Sequence, residues 1–207
     1  MNIEHITMKS SMNTRKHMAS TELEEQSPEP IVEVQFNRIY YYGEIQRDGI
    51  CQLCRELKQL ESKMIKLKYD YQLNKCPNIY IYIQSEGGDA FVGLNAMDTI
   101  RSCKVPVVTV VDGYCASAAT FLLLAGKERH MRSHAGILIH QLRTEFWGKF
   151  VELKDEMKNS EKMMEIFKKI YIENSNIPTK TLNNLLEKEL CLTADECLEY
   201  GLVDKIL

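Results

Sequence analysis

Apolar positions along this chain recur in two periods. In NIYIYIQ (residues 78–84), Ile79, Ile81 and Ile83 alternate with tyrosines, the period of two that predicts a strand with isoleucines on one face. VEVQF (32–36) and RIYYYGEI (38–45) are short, aromatic and β-branched, and predict β segments ended by Gly43. Between them and the isoleucine strand, Ile50, Leu53, Leu57, Leu60, Met64 and Leu67 recur every three or four residues, predicting a helix of about twenty residues. FVGLNAMDTIRSC (91–103) predicts another helix. VPVVTVVDG (105–113) is apolar throughout, as strands buried on both faces of a parallel sheet are. The stretch GYCASAATFLLLAG (113–126) is then expected to be a helix, and AGILIH (135–140) one more strand. Strand and helix alternating in this order predict an α/β fold with right-handed crossovers.

Beyond AGILIH the rhythm changes. Phe146, Phe150, Leu153, Met157, Met164, Phe167 and Tyr171 follow spacings of four and three, with a gap at Ser160. A single amphipathic helix from Phe146 to Tyr171 would be about 38 Å long at 1.5 Å per residue. That exceeds what a small sheet needs for cover, so a partner-binding helix is as good a reading as another core helix. At the end of the chain, Thr193 and Glu196 form a capping box, Gly201 stops that helix, and Leu-Val-Asp-Lys-Ile reads as a closing strand. Residues 1–30 follow neither period. They open Met-rich and mildly basic, then TELEEQSPEP brings glutamates and prolines, so a flexible arm or propeptide is expected before a domain from residue 31 to residue 207.

Composition narrows the classes. With 26 basic and 29 acidic side chains the net charge is −3, which gives no electrostatic reason to expect nucleic acid or an anionic membrane as partner. No apolar run approaches the roughly 20 residues that span a bilayer, and the start lacks the apolar middle of a secretory signal. Seven cysteines at irregular spacing fit reduced thiols in a cytoplasmic protein. Cys51 and Cys54 form one C-x-x-C, but no second pair completes four ligands, so two cysteines one helical turn apart are expected and no metal site.

Candidate chemistry lies at strand ends. Ser117 follows a buried strand and opens a helix, where ligands of open sheets bind and free N–H groups point. A serine there is usually only a cap. QSEGGDAF (84–91) is a second strand-to-helix junction, whose paired glycines let backbone N–H groups approach a ligand. His140 closes its strand on the same edge. Serine, histidine and a glycine cradle at three matching positions fit nucleophilic catalysis with an oxyanion site.

In that order, SEGGDAF, GYCASAATFLLLAG, ILIHQ and LTADECLEYGLVDKIL resemble the proteolytic subunit of the Clp protease, the ClpP family, from about Ile39 to the C-terminus. The resemblance implies the ClpP/crotonase-like fold, a β-superhelix with a protruding handle helix at about residues 144–173. It implies a serine endopeptidase acting on peptides and unfolded proteins, with Ser117 as nucleophile, His140 as general base and the N–H groups of Gly88 and Ala118 as oxyanion hole. It also implies a homo-oligomer of stacked seven-membered rings fed by an AAA+ unfoldase, with no cofactor and ATP used only by that partner. Counting back from Leu192-Thr193-Ala194, the family's aspartate position holds Glu189. Glu86 stands where the family has proline, LRTEF replaces a Gly-rich strand after His140-Gln141, and no ATPase-docking helix is recognisable in IVEVQFN. Three alternatives stay open: a viral ClpP-like protease that matures capsids, a non-catalytic ring subunit, and a crotonase-like acyl-CoA enzyme.

Overall fold

The computed structural model describes residues 29–207; most of the N-terminal arm expected from the sequence lies outside them. The first strands are β1 (Ile31–Gln35) and β2 (Arg38–Tyr42), paired antiparallel. Helix α1 (Arg47–Asp70) follows and buries Ile50, Leu53, Leu57, Leu60 and Met64 of the stripe read from the sequence, with Leu67 only half-buried at its end. Strand β3 (Ile79–Ser85) pairs parallel with β2, and all three isoleucines are fully buried. Its tyrosines lie on the other face, where Tyr82 stacks on Tyr40 at 4.8 Å and joins Val108 and Val110 in a second, smaller cluster. The two periods of the sequence therefore meet in one core, with α1 over the isoleucine face.

Helix α2 (Ala90–Arg101) begins under an Asp89 cap, whose carboxylate accepts from the Val92 N–H at 3.0 Å. Strand β4 (Val107–Ala116) is longer than expected. GYCA extends the strand rather than opening a helix, and α3 (Ala119–Leu124) is only six residues. Ladder pairing explains the difference. Val107–Val111 pair with β3, the register shifts past Ile83, and Ser85 then pairs with Cys115. Beyond that shift β4 changes its other neighbour, from β5 (Glu128–Met131) to β6 (Gly136–Leu138). Two neighbouring ladders, not residue size, hold GYCA in the strand.

The remaining elements are α4 (Phe150–Asn174), α5 (Thr179–Leu186), β7 (Cys191–Leu192), α6 (Ala194–Glu199) and β8 (Lys205–Ile206). The main sheet runs β1-β2-β3-β4-β5-β8, and β6 leaves it from β4 carrying β7 antiparallel. Thr193 and Glu196 form the expected capping box, and Gly201 sits at φ +63 just past the helix. The long helix starts at Phe150, not at Phe146. Lys149 is extended at its N-terminus, so Phe146 and Trp147 precede the helix, and Trp147 is fully exposed. Only Phe167 and Tyr171 of α4 are buried, while Phe150, Val151, Leu153 and Met157 face outward. Among the described residues no helix is long and apolar enough to cross a membrane.

Candidate active site

The site begins with one unusual backbone angle. Ser117, between β4 and α3, has φ +53, a left-handed conformation that costs a non-glycine residue about 1–2 kcal/mol. Hydrogen bonds offset it. The Ser117 N–H donates to Leu138 O at 2.9 Å, continuing the β4–β6 ladder by one residue, and its carbonyl accepts from the Thr120 N–H at 3.0 Å. The Ser117 hydroxyl has no hydrogen-bond partner among the described residues. A strand-to-helix turn strained in this way projects the side chain out of the sheet edge.

Gly87 and Gly88 lie against this turn, both at positive φ (+103 and +144). A Cβ on Gly87 would come within 2.7 Å of Ser117 Cβ and 2.9 Å of Ala116 O, so only glycine fits between the two junctions. Ser85 Oγ accepts from the Gly87 N–H at 3.1 Å. The Ile45 N–H donates to Gly87 O at 2.6 Å and the Asp89 N–H to Ile45 O at 2.8 Å. These ladder bonds fall on residues 87 and 89, so the Gly88 N–H between them faces away from Ile45. Ala118 precedes the first N–H that donates within the α3 turn, since Thr120 and Phe121 donate to Ser117 O and Ala118 O.

The β6–β7 register brings in the other two candidates. Ile137 faces Leu192 and Leu138 faces Cys191. The ladder ends there, two residues short of both His140 and Glu189, which lie just past the ends of their strands. Beyond Leu138 the backbone leaves the ladder, and the Gln141 N–H donates instead to Leu186 O at 2.9 Å. Ser117, His140, Glu189, Gly88 and Ala118 all line one cleft of ≈680 Å³, floored by Phe121, Leu138, Leu142, Phe167 and Tyr171. Glu86 lines it too, so the proline-to-glutamate departure does put a carboxylate at the cleft.

Within the cleft, no hydrogen bond joins Ser117 to His140 or His140 to Glu189 among the described residues. The Glu189 carboxylate pairs instead with Arg143 at 2.9 Å. Both partners are well exposed, and an ion pair of that kind contributes about 1 kcal/mol or less, so little opposes its exchange for a histidine contact. Tyr114, on the same wall, has its phenol raised by burial first and then by Cys191, Glu86 and Glu189. Cys115, two residues before Ser117, is fully buried, and burial pushes its thiol far up, which removes it as a rival nucleophile. Cys51 and Cys54 sit one turn apart on α1, and among the described residues no three His, Cys, Asp or Glu side chains converge as a metal would require.

This arrangement can be set beside known proteins. The family model for Clp protease matches residues 34–207. The chain belongs to the Clp protease family. The ATP-dependent Clp protease proteolytic subunit 2 of Treponema denticola is 35% identical over 171 residues, covering 82% of this chain and 80% of that one. The corresponding subunit of Oltmannsiellopsis viridis is 31% identical over 172 residues, covering 80% and 87%. Among solved structures, a ClpP1 point mutant from Listeria monocytogenes superposes with a TM-score of 0.71 at 25% identity, over 83% of this chain and 91% of that one. The fold is that of ClpP, and the chain is a peptidase of the Clp serine type.

Sequence reasoning missed Arg143, which appeared only as part of a departure from the family pattern. It also missed Tyr171 and Thr120, whose hydroxyls meet at 2.6 Å beneath the Ser117 turn. No local signal could have joined residues 51 positions apart.

Gly87→Ala is expected to keep the chain folded but to push the Ser117 turn outward. Displacement on the order of 1 Å at a reacting group can cost roughly 10²-fold. Peptide hydrolysis should fall by that order while circular dichroism stays unchanged, and hydrolysis near the wild-type rate would show that the glycine cradle does not set the serine.

Proposed function

We propose that this chain is the proteolytic subunit of a self-compartmentalised peptidase in which Ser117 attacks the substrate carbonyl. The observation that carries the reading is the left-handed Ser117 turn, which opens into the same cleft as His140, Gly88 and Ala118. His140 takes the hydroxyl proton as general base and returns it to the leaving amine. The Gly88 and Ala118 N–H groups receive the oxyanion, whose charge needs fixed donors in a site with an apolar floor. Glu189 holds the imidazole once it exchanges Arg143 for His140. This chemistry calls for no cofactor. Removing either Ser117 or His140 as such a pair acts together would cost on the order of 10⁶ in turnover.

Substrates are peptides and unfolded chains. The name "ATP-dependent" borne by the relatives supports a partner unfoldase as the only user of ATP. The oligomer is built on α4. Phe150, Leu153 and Met157 present an apolar face that stays exposed among the described residues, beside a groove that Leu142, Phe146, Leu153, Met157 and Met164 line. A second copy of that helix fits it, and stacked rings follow.

Two outcomes test these assignments. Glu189→Ala should lower turnover by ~10²–10⁴ without changing particle mass, as third members of such triads do. Turnover within about threefold of wild type, under ~1 kcal/mol of barrier, would reduce the triad to a dyad. Replacing both Phe150 and Leu153 by Glu should break the particle into single rings or monomers, since burial of each apolar side chain is worth roughly 1.5–3 kcal/mol. Light scattering that still gives the full particle would rule α4 out as the contact.

A further inference from the structure

Beneath the Ser117 turn lies a buried chain of three oxygen atoms. Thr120 Oγ1 donates to Ser117 O at 2.6 Å, and Tyr171 Oη lies 2.6 Å from the same Thr120 oxygen. A threonine hydroxyl has one proton, and the Ser117 carbonyl can only accept. The order is therefore fixed: the Tyr171 O–H donates to Thr120, and the Thr120 O–H donates to Ser117 O. Thr120 is 1% and Tyr171 2% exposed, so water does not compete for these bonds. A helical threonine bonded to the carbonyl three residues back is common. A second hydroxyl donated from another helix, closing on that threonine in a dry core, is not part of that habit.

The carbonyl they hold belongs to the peptide unit joining Ser117 to Ala118. That unit is planar and trans, so its C=O and its N–H point in opposite directions. Fixing the Ser117 carbonyl inward fixes the Ala118 N–H outward, toward the cleft that Ala118 lines. Donation to the carbonyl also polarises the amide and strengthens its N–H as a donor. The Thr120 N–H also donates to this carbonyl and the Ser117 N–H is held by Leu138 O, so the hydroxyls add a second hold on a left-handed unit, and their loss loosens the aim of its N–H rather than releasing the turn. Tyr171 is itself set by aromatic packing. Its ring centroid lies 6.2 Å from that of Phe121, which lies 5.1 Å from Phe167. The donor's aim is thus tied to the buried end of α4.

We infer that Thr120 and Tyr171 are positioning residues for the reaction, acting through the Ser117 carbonyl to aim the Ala118 N–H at the developing oxyanion. This rests on the reading of Ser117 as nucleophile. It adds Thr120, which does not line the cleft, and Tyr171, whose ring helps to floor it while its hydroxyl reaches the Ser117 turn only through Thr120.

The test compares Thr120→Val, Thr120→Ser and Tyr171→Phe in the full-length assembled protein. Three readings are taken: kcat and KM on a fluorogenic peptide, the rate at which a fluorophosphonate labels Ser117, and the melting temperature. Thr120→Val should lower kcat and the labelling rate together by roughly 10- to 100-fold with KM little changed, since loss of one oxyanion donor costs about 10²–10³. Thr120→Ser keeps the hydroxyl and should restore both rates to within about threefold. Tyr171→Phe should lie between. Should Thr120→Val fail to fold, Tyr171→Phe carries the same comparison against wild type. Variants that lower the melting temperature but keep wild-type kcat and labelling would reduce the chain of hydroxyls to core packing and overturn the inference. A wild type in which Ser117 neither labels nor cleaves would instead overturn the reading of the nucleophile, and this inference with it.

Discussion

The structure depends on keeping one residue in a conformation it does not favour. Ser117 sits left-handed between a strand and a helix, and three hydrogen bonds hold it there: its N–H to Leu138, and its carbonyl from the Thr120 amide and hydroxyl. Each bond constrains a different part of the fold. The first requires β6 to pair with the end of β4, which carries His140 alongside. The other two require α3 to start at once, so that its first turn lies over the buried ring of Tyr171. Gly87, with no room for a side chain, fixes the third wall. A net gain of around 1 kcal/mol per hydrogen bond is enough to offset an angle that costs about 1–2. The strain is local and its supports come from three elements far apart in sequence.

The Glu189 carboxylate is held less firmly. Glu189 lines the same cleft as His140, yet its carboxylate goes to Arg143, an exposed partner on the segment leading to α4. The exposed pair contributes little, whereas contact with an imidazolium inside the cleft gains from each ångström of water removed. The serine turn is thus built into one chain, while the Glu189 carboxylate is tied to Arg143 by an exposed pair alone.

Much of this was legible in the sequence because periodic burial produces it. The isoleucines of β3 and the stripe of α1 fall where period two and period 3.6 put them. Ser117 and the Gly87-Gly88 pair were legible because each sits at a strand-to-helix junction on one sheet edge, whereas His140 lies two residues past the end of β6, which stops at Leu138 rather than at His140. Other features could not be read locally. GYCA became strand because two neighbouring ladders claim it, although small residues suit either state. ERHM of β5 is mostly charged and polar, and only its parallel neighbours make it a strand. The four-residue step from Phe146 to Phe150 mimicked a helical turn, yet Lys149 is extended and the helix begins after it. Arg143 on Glu189 and Tyr171 on Thr120 are tertiary pairings between residues 46 and 51 positions apart, and no local pattern encodes them.

The central claim is that Ser117 is a nucleophile activated by His140, and a covalent label tests it most directly. Wild-type and His140→Ala proteins are treated with a fluorophosphonate, and the modified residue is located by peptide mass mapping. The account predicts one adduct per chain, on Ser117, in the wild type, with labelling of the His140→Ala protein slowed by several orders of magnitude. An adduct on another residue, or equal labelling of Ser117 in the two proteins, would contradict it.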